Sequence, residues 1–390
     1  MDRATLPPLA ENTERPDAPC APTAPRKHLF RLDNFQTAGR ESLSALAFGY
    51  ECHGRQNAAG DNSILLIPPF GGHAHVAGRY RSGDTIAGYL DGVIGPGKLF
   101  DTRRYHVICA DGLANMNADC PDVCSTGPSS IDALTGQTYG AAFPCLSVQD
   151  MVAVQHALLR QLGVTKLHAV VGGGLASAQA LDWAAAHPDM VERVIAPAPI
   201  GLLPERYLVN RLGSWLVPVL SDAFPLRNFR RACPPQSHTG LVAALQRIAN
   251  CVRDCSASGM SYHALQAPPI ELQAPERDFL LHLAFGNSAT RFENVDPLAF
   301  CYQVRAYQTW RCGRPLPLAD ACRHMRARML FLTLTSDLFA RAHCVDTAVA
   351  ELRAHGVCVD SARMDEEGGH LAWESCFTRQ ADLIASFLAD

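Results

Sequence analysis

The feature that most constrains this chain is a run of three glycines between a predicted strand and a predicted helix. Residues 167–171 form a short apolar run that predicts a buried strand, and residues 175–186 predict the helix that follows it. Gly172, Gly173 and Gly174 alone join the two. Glycines are needed where a turn is strained and where helix and strand pack closely. The run therefore predicts an α/β architecture with a tight strand-to-helix connection.

A connection of this kind is where one class of enzymes holds its nucleophile. α/β-Hydrolases place a serine there, in the pattern Gly-x-Ser-x-Gly. In this chain the frame reads Gly172-Gly173-Gly174-Leu175-Ala176, so Gly174 occupies the position of the serine. The sequence thus predicts the frame of a nucleophile turn without its nucleophile.

Composition excludes several other classes of protein. The chain has 390 residues, is 48% hydrophobic and carries a net charge of −4, without a basic run that would indicate nucleic acid or an anionic membrane. No stretch reaches the roughly 18 apolar residues of a membrane span, and no apolar segment near the N-terminus resembles a signal peptide. We therefore expect a cytoplasmic protein. The 15 cysteines are scattered, and His73 and His75 have no ligand nearby in sequence, so no metal site is predicted.

The order of the predicted elements suggests a core interrupted by an insertion. Residues 1–27 are predicted to be a disordered tail, residues 28–200 and 326–390 a core with a mostly parallel sheet, and residues 201–325 an inserted helical cap. Phe300, Tyr302, Tyr307 and Trp310 are expected to serve the core and an interface rather than a ligand cage. The predicted strands lie within 29–50 and at 63–67, 105–109, 167–171, 191–195, 329–334 and 357–362; the predicted helices lie at 147–162, 175–186, 206–220, 241–255, 279–285, 297–310, 340–355 and 374–388.

Two polar residues follow neighbouring strands late in the chain. Asp337 comes just after the strand that ends near Leu334, and His370 follows the next strand. The order of glycine turn, acid and histidine is the order expected of α/β-hydrolases, whose carboxylate fixes the tautomer of the histidine. The alternative is that Asp337 caps a helix and His370 is a surface histidine.

Several longer motifs make a resemblance specific. Over roughly residues 40 to 390, the chain resembles the homoserine O-acetyltransferase family of α/β-hydrolases. The motifs that carry this resemblance are Ala74-His75-Val76-Ala77-Gly78, Leu90-Asp91-Gly92-Val93-Ile94-Gly95-Pro96-Gly97-Lys98, Ser125-Thr126-Gly127-Pro128-Ser129-Ser130, Val170-Val171-Gly172-Gly173, Gln179-Ala180-Leu181-Asp182-Trp183, Ser336-Asp337-Leu338-Phe339 and Gly369-His370.

The resemblance implies a set of roles. The family transfers an acyl group from acyl-CoA, through an acyl-serine, to the hydroxyl of homoserine. By position, His370 is the base, Asp337 orients it, and Gly174 stands where the nucleophile belongs. The backbone of Phe70 and the amide of Leu175 would form the oxyanion hole. The resemblance also implies a homodimer that pairs through the cap, no cofactor, and acyl-CoA as co-substrate only if transferase activity persists.

The pocket implied by the resemblance departs from the family in its charges. Leu371 and Leu216 stand where the family has an acidic residue and an arginine that hold the amino acid substrate, which argues against homoserine. Gly71 and Ser177 are expected at the same pocket. Ser177 lies about one helical turn, roughly 5 Å, beyond the nucleophile position, so we expect it to be a packing residue.

Three functional hypotheses stay open at this point. The first is a divergent enzyme whose His370 acts as general base on a small molecule other than homoserine. The second is a non-catalytic protein that binds a small ligand or a protein partner. The third is residual acyltransferase or esterase activity through another nucleophile, for which Ser177, Cys120 and Cys124 are the candidates. We expect negligible acetylation of homoserine.

Overall fold

A computed structural model describes residues 25–84, 87–118, 120–221, 296–365 and 369–389. Several predictions lie outside these residues: the tail up to residue 24, the helices 241–255 and 279–285, most of the cap, and the side chain of Leu371. The proposed domain boundaries therefore stay predictions.

An open sheet of eight strands organises the described part of the chain, in the order β1-β2-β4-β3-β5-β6-β7-β8. The pairs β1–β2 and β2–β4 are antiparallel, and all later pairs are parallel. The central strands are short and, apart from their first residues, buried and apolar, as expected of parallel strands covered on both faces. The strands are β1 His28–Gln36, β2 Ser42–His53, β3 Ser63–Leu66, β4 His106–Ala110, β5 Ala169–Val171, β6 Arg193–Pro197, β7 Arg328–Leu334 and β8 Val359–Met364.

Helices cover both faces of this sheet, and each face has its own apolar core. On one face Trp183, Leu159 and Val304 belong to a single buried cluster; on the other, Phe100, Phe377 and Ile384 do. This arrangement confirms the predicted α/β fold class with its mostly parallel sheet. The described helices are α1 Val148–Gln161, α2 Ser177–Ala186, α3 Arg206–Ser221, α4 Pro297–Gln308, α5 Leu318–His324, α6 Ala342–Ala354, α7 Ser375–Arg379 and α8 Ala381–Ala389.

Most predicted elements form within a few residues of their expected bounds, and the closing helix is the main exception. The prediction of one continuous helix over 374–388 is wrong. Residues Gly369–Glu374 form a 3-10 helix, and the chain then bends at Gln380 between α7 and α8. Trp373, in the 3-10 helix, and Phe377, in α7, are both buried and meet edge to face at 6.0 Å. The short helix α5 was not predicted. None of the described helices is long and apolar enough to cross a membrane.

Candidate active site

The three glycines after β5 are each required for a different spatial reason. A Cβ atom on Gly172 would lie 2.6 Å from the carbonyl oxygen of Ala176, and one on Gly173 would lie 2.5 Å from the ring of Trp373. Gly174 has a φ of +55°, in the left-handed region that side chains disfavour. A 3-10 turn, Gly174–Ala176, then leads into α2. The chain therefore makes the strained strand-to-helix turn that the sequence predicted.

Asp337 and His370 meet at the carboxyl ends of β7 and β8. The Nδ1 atom of His370 lies 2.7 Å from Oδ2 of Asp337. The other carboxylate oxygen accepts hydrogen bonds from the backbone N–H groups of Phe339, at 2.7 Å, and Ala340, at 2.8 Å. Asp337 is only 2% exposed, so these partners satisfy a buried carboxylate. Such a carboxylate holds the proton on Nδ1 and leaves Nε2 as the basic nitrogen.

The basic nitrogen of His370 faces the glycine turn. A Cβ atom on Gly174 would lie only 2.7 Å from Nε2 and 3.1 Å from Cε1 of the imidazole. Phe339 packs against the imidazole with the ring centroids 4.6 Å apart. The imidazole is thus held on two sides, by a carboxylate and an aromatic ring, with its third side against the backbone of Gly174.

The loop that follows β3 lies beside this turn. The amide of Ile67 donates to the carbonyl of Val171 at 2.8 Å, which ties the start of the loop to the strand that precedes the glycines. The carbonyl of Gly71 accepts from the side-chain amide of Asn117 at 2.6 Å, and that of Gly72 from Asn115 at 2.8 Å. With these two carbonyls engaged, the fold of the loop around Phe70 is fixed by side chains from the segment after β4.

Two of the residues considered as substitute nucleophiles, Ser177 and Cys124, lie in surroundings that do not favour nucleophilic attack. Ser177 is fully buried, and its hydroxyl accepts a hydrogen bond from the amide of Ile200 at 3.2 Å, which ties α2 to the segment after β6. Cys124 is half-buried, and burial raises the pKa of its thiol, which makes it a poorer nucleophile at neutral pH. No described cysteine forms a disulfide.

A cavity of about 40 Å³ lies beside the loop, with room for a few water molecules. Its wall includes Phe70, Gly71, Gln179 and Tyr307, but neither Gly174 nor His370. Leu216, which was expected at the pocket, is partly buried and packs against the larger apolar core. The cavity is therefore a neighbour of the candidate site and distinct from the space between His370 and Gly174.

A buried polar network, which the sequence did not predict, lines this cavity. Gln155 donates to Gln179 at 2.8 Å, Gln179 donates to the hydroxyl of Tyr307 at 2.7 Å, and Trp183 donates to Gln155 at 2.8 Å. The network joins α1, α2 and α4. Gln179 and Trp183 belong to one motif quoted above, but the partners on α1 and α4 lie far away in sequence. No local pattern reveals them.

Comparisons with known proteins decide the family. A homoserine O-acetyltransferase of Symbiobacterium thermophilum is 33% identical to this chain over 360 residues, which are 90% of each protein. The chain belongs to the homoserine O-acetyltransferase family. No family model matches it. The relatedness is spread over nearly the whole chain, as the motifs suggested.

Solved structures agree with this assignment. Esterase E22 matches with a TM-score of 0.84 and 30% identity, over 93% of this chain and 100% of that one. Homoserine O-acetyltransferase from Bacillus anthracis also matches with a TM-score of 0.84, at 25% identity, over 94% of this chain and 98% of that one. One neighbour is named as a transferase and the other as an esterase. The shared fold therefore leaves the acyl acceptor open.

Proposed function

We propose that this homoserine O-acetyltransferase family member catalyses acyl transfer without a covalent acyl-enzyme. In this proposal His370 takes a proton directly from the acyl acceptor, a water molecule or a substrate hydroxyl. The acceptor oxygen forms a bond to the carbonyl carbon of an ester or thioester. The bond to the leaving alkoxide or thiolate breaks, and His370 returns the proton to the leaving group. The amides of Phe70 and Leu175 are proposed to stabilise the intermediate oxyanion.

One observation carries this proposal: the basic nitrogen of His370, oriented by buried Asp337, lies against Gly174. A residue without a side chain leaves the imidazole no protein hydroxyl to activate at this position. A base held this rigidly acts best on a group that a substrate brings to it. The names of the relatives, which include both a transferase and an esterase, support acyl chemistry.

The substrate is proposed to differ from homoserine. Leu216 and Leu371 replace, by position, the two charged residues that the resemblance assigns to the amino acid substrate. An α-amino acid that is buried without ionic partners loses several kcal/mol of solvation. We therefore expect an uncharged acyl acceptor, or water.

The proposal also bounds the expected rate. General-base catalysis typically contributes about a hundredfold to ten-thousandfold. Turnover should therefore be slow, and easiest to detect with activated substrates such as p-nitrophenyl acetate or a short acyl-CoA.

The decisive experiment follows these two substrates with the purified chain. We expect steady hydrolysis without an initial burst, and intact-mass spectra of the quenched enzyme should show no acyl adduct. His370→Ala should lower the rate at least about a hundredfold, whereas His324→Ala, which removes an exposed histidine on α5, should leave it unchanged. A stoichiometric acyl adduct on Ser177 or a cysteine would establish residual transferase chemistry instead. Slow turnover that is insensitive to His370→Ala would contradict a catalytic role for His370 and would favour the non-catalytic binding protein.

Gly174→Ser tests whether the rest of the site is still aligned. The introduced Cβ would lie 2.7 Å from Nε2, so the imidazole must withdraw, which its position at the end of a side chain permits. We expect a burst of p-nitrophenol and an acetyl adduct of one per chain on the introduced serine. The double variant Gly174→Ser/His370→Ala should not label. Absence of labelling in a folded Gly174→Ser protein would contradict an intact oxyanion hole.

A further inference from the structure

Three side chains with metal-binding atoms converge where the start of α3 meets the start of α6. Glu205 directly precedes α3, and His343 and Cys344 lie in the first turn of α6. The Sγ atom of Cys344 lies 2.9 Å from Oε2 of Glu205 and 3.3 Å from Nε2 of His343. The same Nε2 lies 3.7 Å from Oε1 of Glu205. Among the described residues, no other group of three such side chains is as close.

These separations match those between the ligands of one tetrahedral zinc ion. Zinc binds cysteine sulfur at about 2.3 Å, histidine nitrogen at about 2.0–2.1 Å and carboxylate oxygen at about 2.0–2.2 Å. With tetrahedral angles, those bond lengths place the ligand atoms about 3.3–3.6 Å apart. The separations of 3.3 Å from sulfur to nitrogen and 3.7 Å from nitrogen to Oε1 lie within about 0.3 Å of these values. The 2.9 Å contact from sulfur goes to the other carboxylate oxygen and must lengthen by about 0.7 Å. Ligation therefore needs shifts of less than about 1 Å.

We propose that Glu205, His343 and Cys344 form a binding site for a divalent transition metal ion of the zinc class. Three protein ligands leave the fourth position to water, and the ring of His343, with 63% of the side chain exposed, keeps that position open to solvent. On binding, the S–H bond of Cys344 breaks, a sulfur–metal bond forms, and the proton passes to the buffer. No electron is transferred.

Arg341 would compete with a bound metal ion for Glu205, and this competition gives a specific test of the site. Its guanidinium forms an ion pair with Glu205 and contacts both carboxylate oxygens. It also lies over the ring of Tyr207, 4.6 Å from the centroid. A bound dication must share Glu205 with this cation, and like charges at such distances repel. Removing the charge of Arg341 should therefore strengthen metal binding, although the same change removes an ion pair from the protein.

The site would connect two parts of the chain that matter for the candidate active site. α6 begins only two residues after Ala340, whose amide donates to Asp337. Glu205 introduces α3, the first helix of the predicted cap. A metal ion would thus fasten the segment leading into α3 to the segment that holds the acid. Metal binding at this site is independent of the proposed catalysis and can be measured without it.

Cobalt(II) titration of the metal-free full-length protein tests the site directly. We expect one Co²⁺ per chain, with the near-ultraviolet charge-transfer band of a thiolate ligand and the visible bands of tetrahedral cobalt, all displaced by Zn²⁺. Cys344→Ser should abolish the charge-transfer band, and His343→Ala should weaken binding at least about tenfold. Cys358→Ser, which removes an exposed cysteine elsewhere, should change nothing. Arg341→Gln should tighten binding.

Three results would contradict a metal site at Glu205, His343 and Cys344. Absence of the charge-transfer band in the unaltered protein would overturn the proposal. A band that survives Cys344→Ser and disappears with Cys358→Ser would assign the metal to another place. Weaker binding in Arg341→Gln, with circular dichroism unchanged, would show that the cluster is a structural ion pair and not a metal site.

Discussion

At the scale of single residues, the position of the His370 imidazole limits which side chains fit at position 174. The imidazole lies where a Cβ atom on Gly174 would contact it at 2.7 Å, closer than real Cβ atoms approach a neighbour. Any side chain at position 174 must therefore displace the imidazole, stretch its bond to Asp337, or both. The backbone adds a second obstacle, because a φ of +55° costs most residues other than glycine about 1–2 kcal/mol. Glycine at position 174 thus avoids two costs, one from its surroundings and one from its conformation.

These two costs can be separated by comparing substitutions at two glycines. Gly174→Ala adds both the backbone strain and the contact with His370. Gly163→Ala adds only the strain, since Gly163 has a φ of +74° with nothing within 4 Å of the added Cβ. We expect Gly163→Ala to lower the free energy of unfolding, measured by urea denaturation, by about 1–2 kcal/mol. Gly174→Ala should lower it by about 1–3 kcal/mol more than Gly163→Ala does.

A double-mutant cycle identifies the source of the extra cost. In the background of His370→Ala, the cost of Gly174→Ala should fall to about that of Gly163→Ala, because the contacted ring is gone. Equal costs of Gly174→Ala with and without the imidazole would contradict the close approach described above.

At the scale of elements, α1 shows how a few residues fix where a helix begins and what it joins. The Ser147 side chain accepts from the amide of Asp150, and the Asp150 side chain accepts from the amide of Ser147 at 2.8 Å. The second carboxylate oxygen of Asp150 accepts from the amide of Ala38 at 2.6 Å, in the turn between β1 and β2. Asp150 therefore both caps α1 and joins it to the antiparallel edge of the sheet.

The two capping residues of α1, Ser147 and Asp150, should differ in their contribution to stability. Ser147→Ala removes the hydrogen bond from the amide of Asp150 and the one that the hydroxyl donates to the Asp150 carboxylate, and should cost about 1 kcal/mol. Asp150→Ala also leaves the amide of Ala38 without its partner, and should cost about 2–3 kcal/mol. Arg160→Ala, at an exposed position of the same helix, should change the free energy of unfolding by less than about 0.5 kcal/mol. Equal effects of the two cap substitutions in urea denaturation would contradict a joining role for Asp150.

How well the sequence predicted an element depended on whether local residues determine it. The capping pair of Ser147 and Asp150, the apolar run of β7 and the glycine turn all carry their own signals, and each element forms where predicted. The break at Gln380 has no such local signal, and the segment before it carries Trp373 and Phe377, which pack in a core cluster with residues from distant parts of the chain.

The same distinction applies to the candidate sites. Motifs placed Asp337 and His370 after neighbouring parallel strands, from which their contact could be anticipated. The cluster of Glu205, His343 and Cys344 brings together residues 139 positions apart in the chain. The Gln155–Gln179–Tyr307 network likewise spans three helices. Pairings of this kind exist only once the helices have packed, so no spacing in the sequence predicts them.

At the scale of the whole molecule, partly buried histidines couple the fold to pH. Burial, with a contribution from the charge of nearby His53, lowers the pKa of His106, in β4, to about 4. Burial also lowers the pKa of His187 to about 4, with a contribution from His156, against which its ring stacks at 4.0 Å. Both folded-state values lie below the ordinary histidine value of 6.5. The folded protein therefore resists protonation that the unfolded chain accepts.

The sign of the resulting pH dependence follows from proton binding. Between about pH 6.5 and pH 4 the unfolded chain binds more protons at these two positions than the folded protein does. The stabilisation is fully present above about pH 6.5, and it is lost as the pH falls through that range towards 4. His106 should contribute about 1–3 kcal/mol to this loss, and His187 less than His106, because solvent screens its more exposed ring. Urea denaturation at a series of pH values should give a free energy of unfolding that declines steadily over this interval.

Substitution tests whether these two histidines cause the decline. His106→Gln and His187→Gln should each flatten the profile between about pH 6.5 and pH 4, even where they lower stability at neutral pH by removing a packed ring. Arg81→Gln changes an exposed residue away from both histidines, and should leave the slope as it is. If both histidine variants keep the slope of the unaltered protein, the acid sensitivity must come from carboxylates that are paired in the folded state. Glu51 would then be the first to examine: although burial alone would raise its pKa, hydrogen bonds from His53, His75 and Tyr80 lower it to about 2.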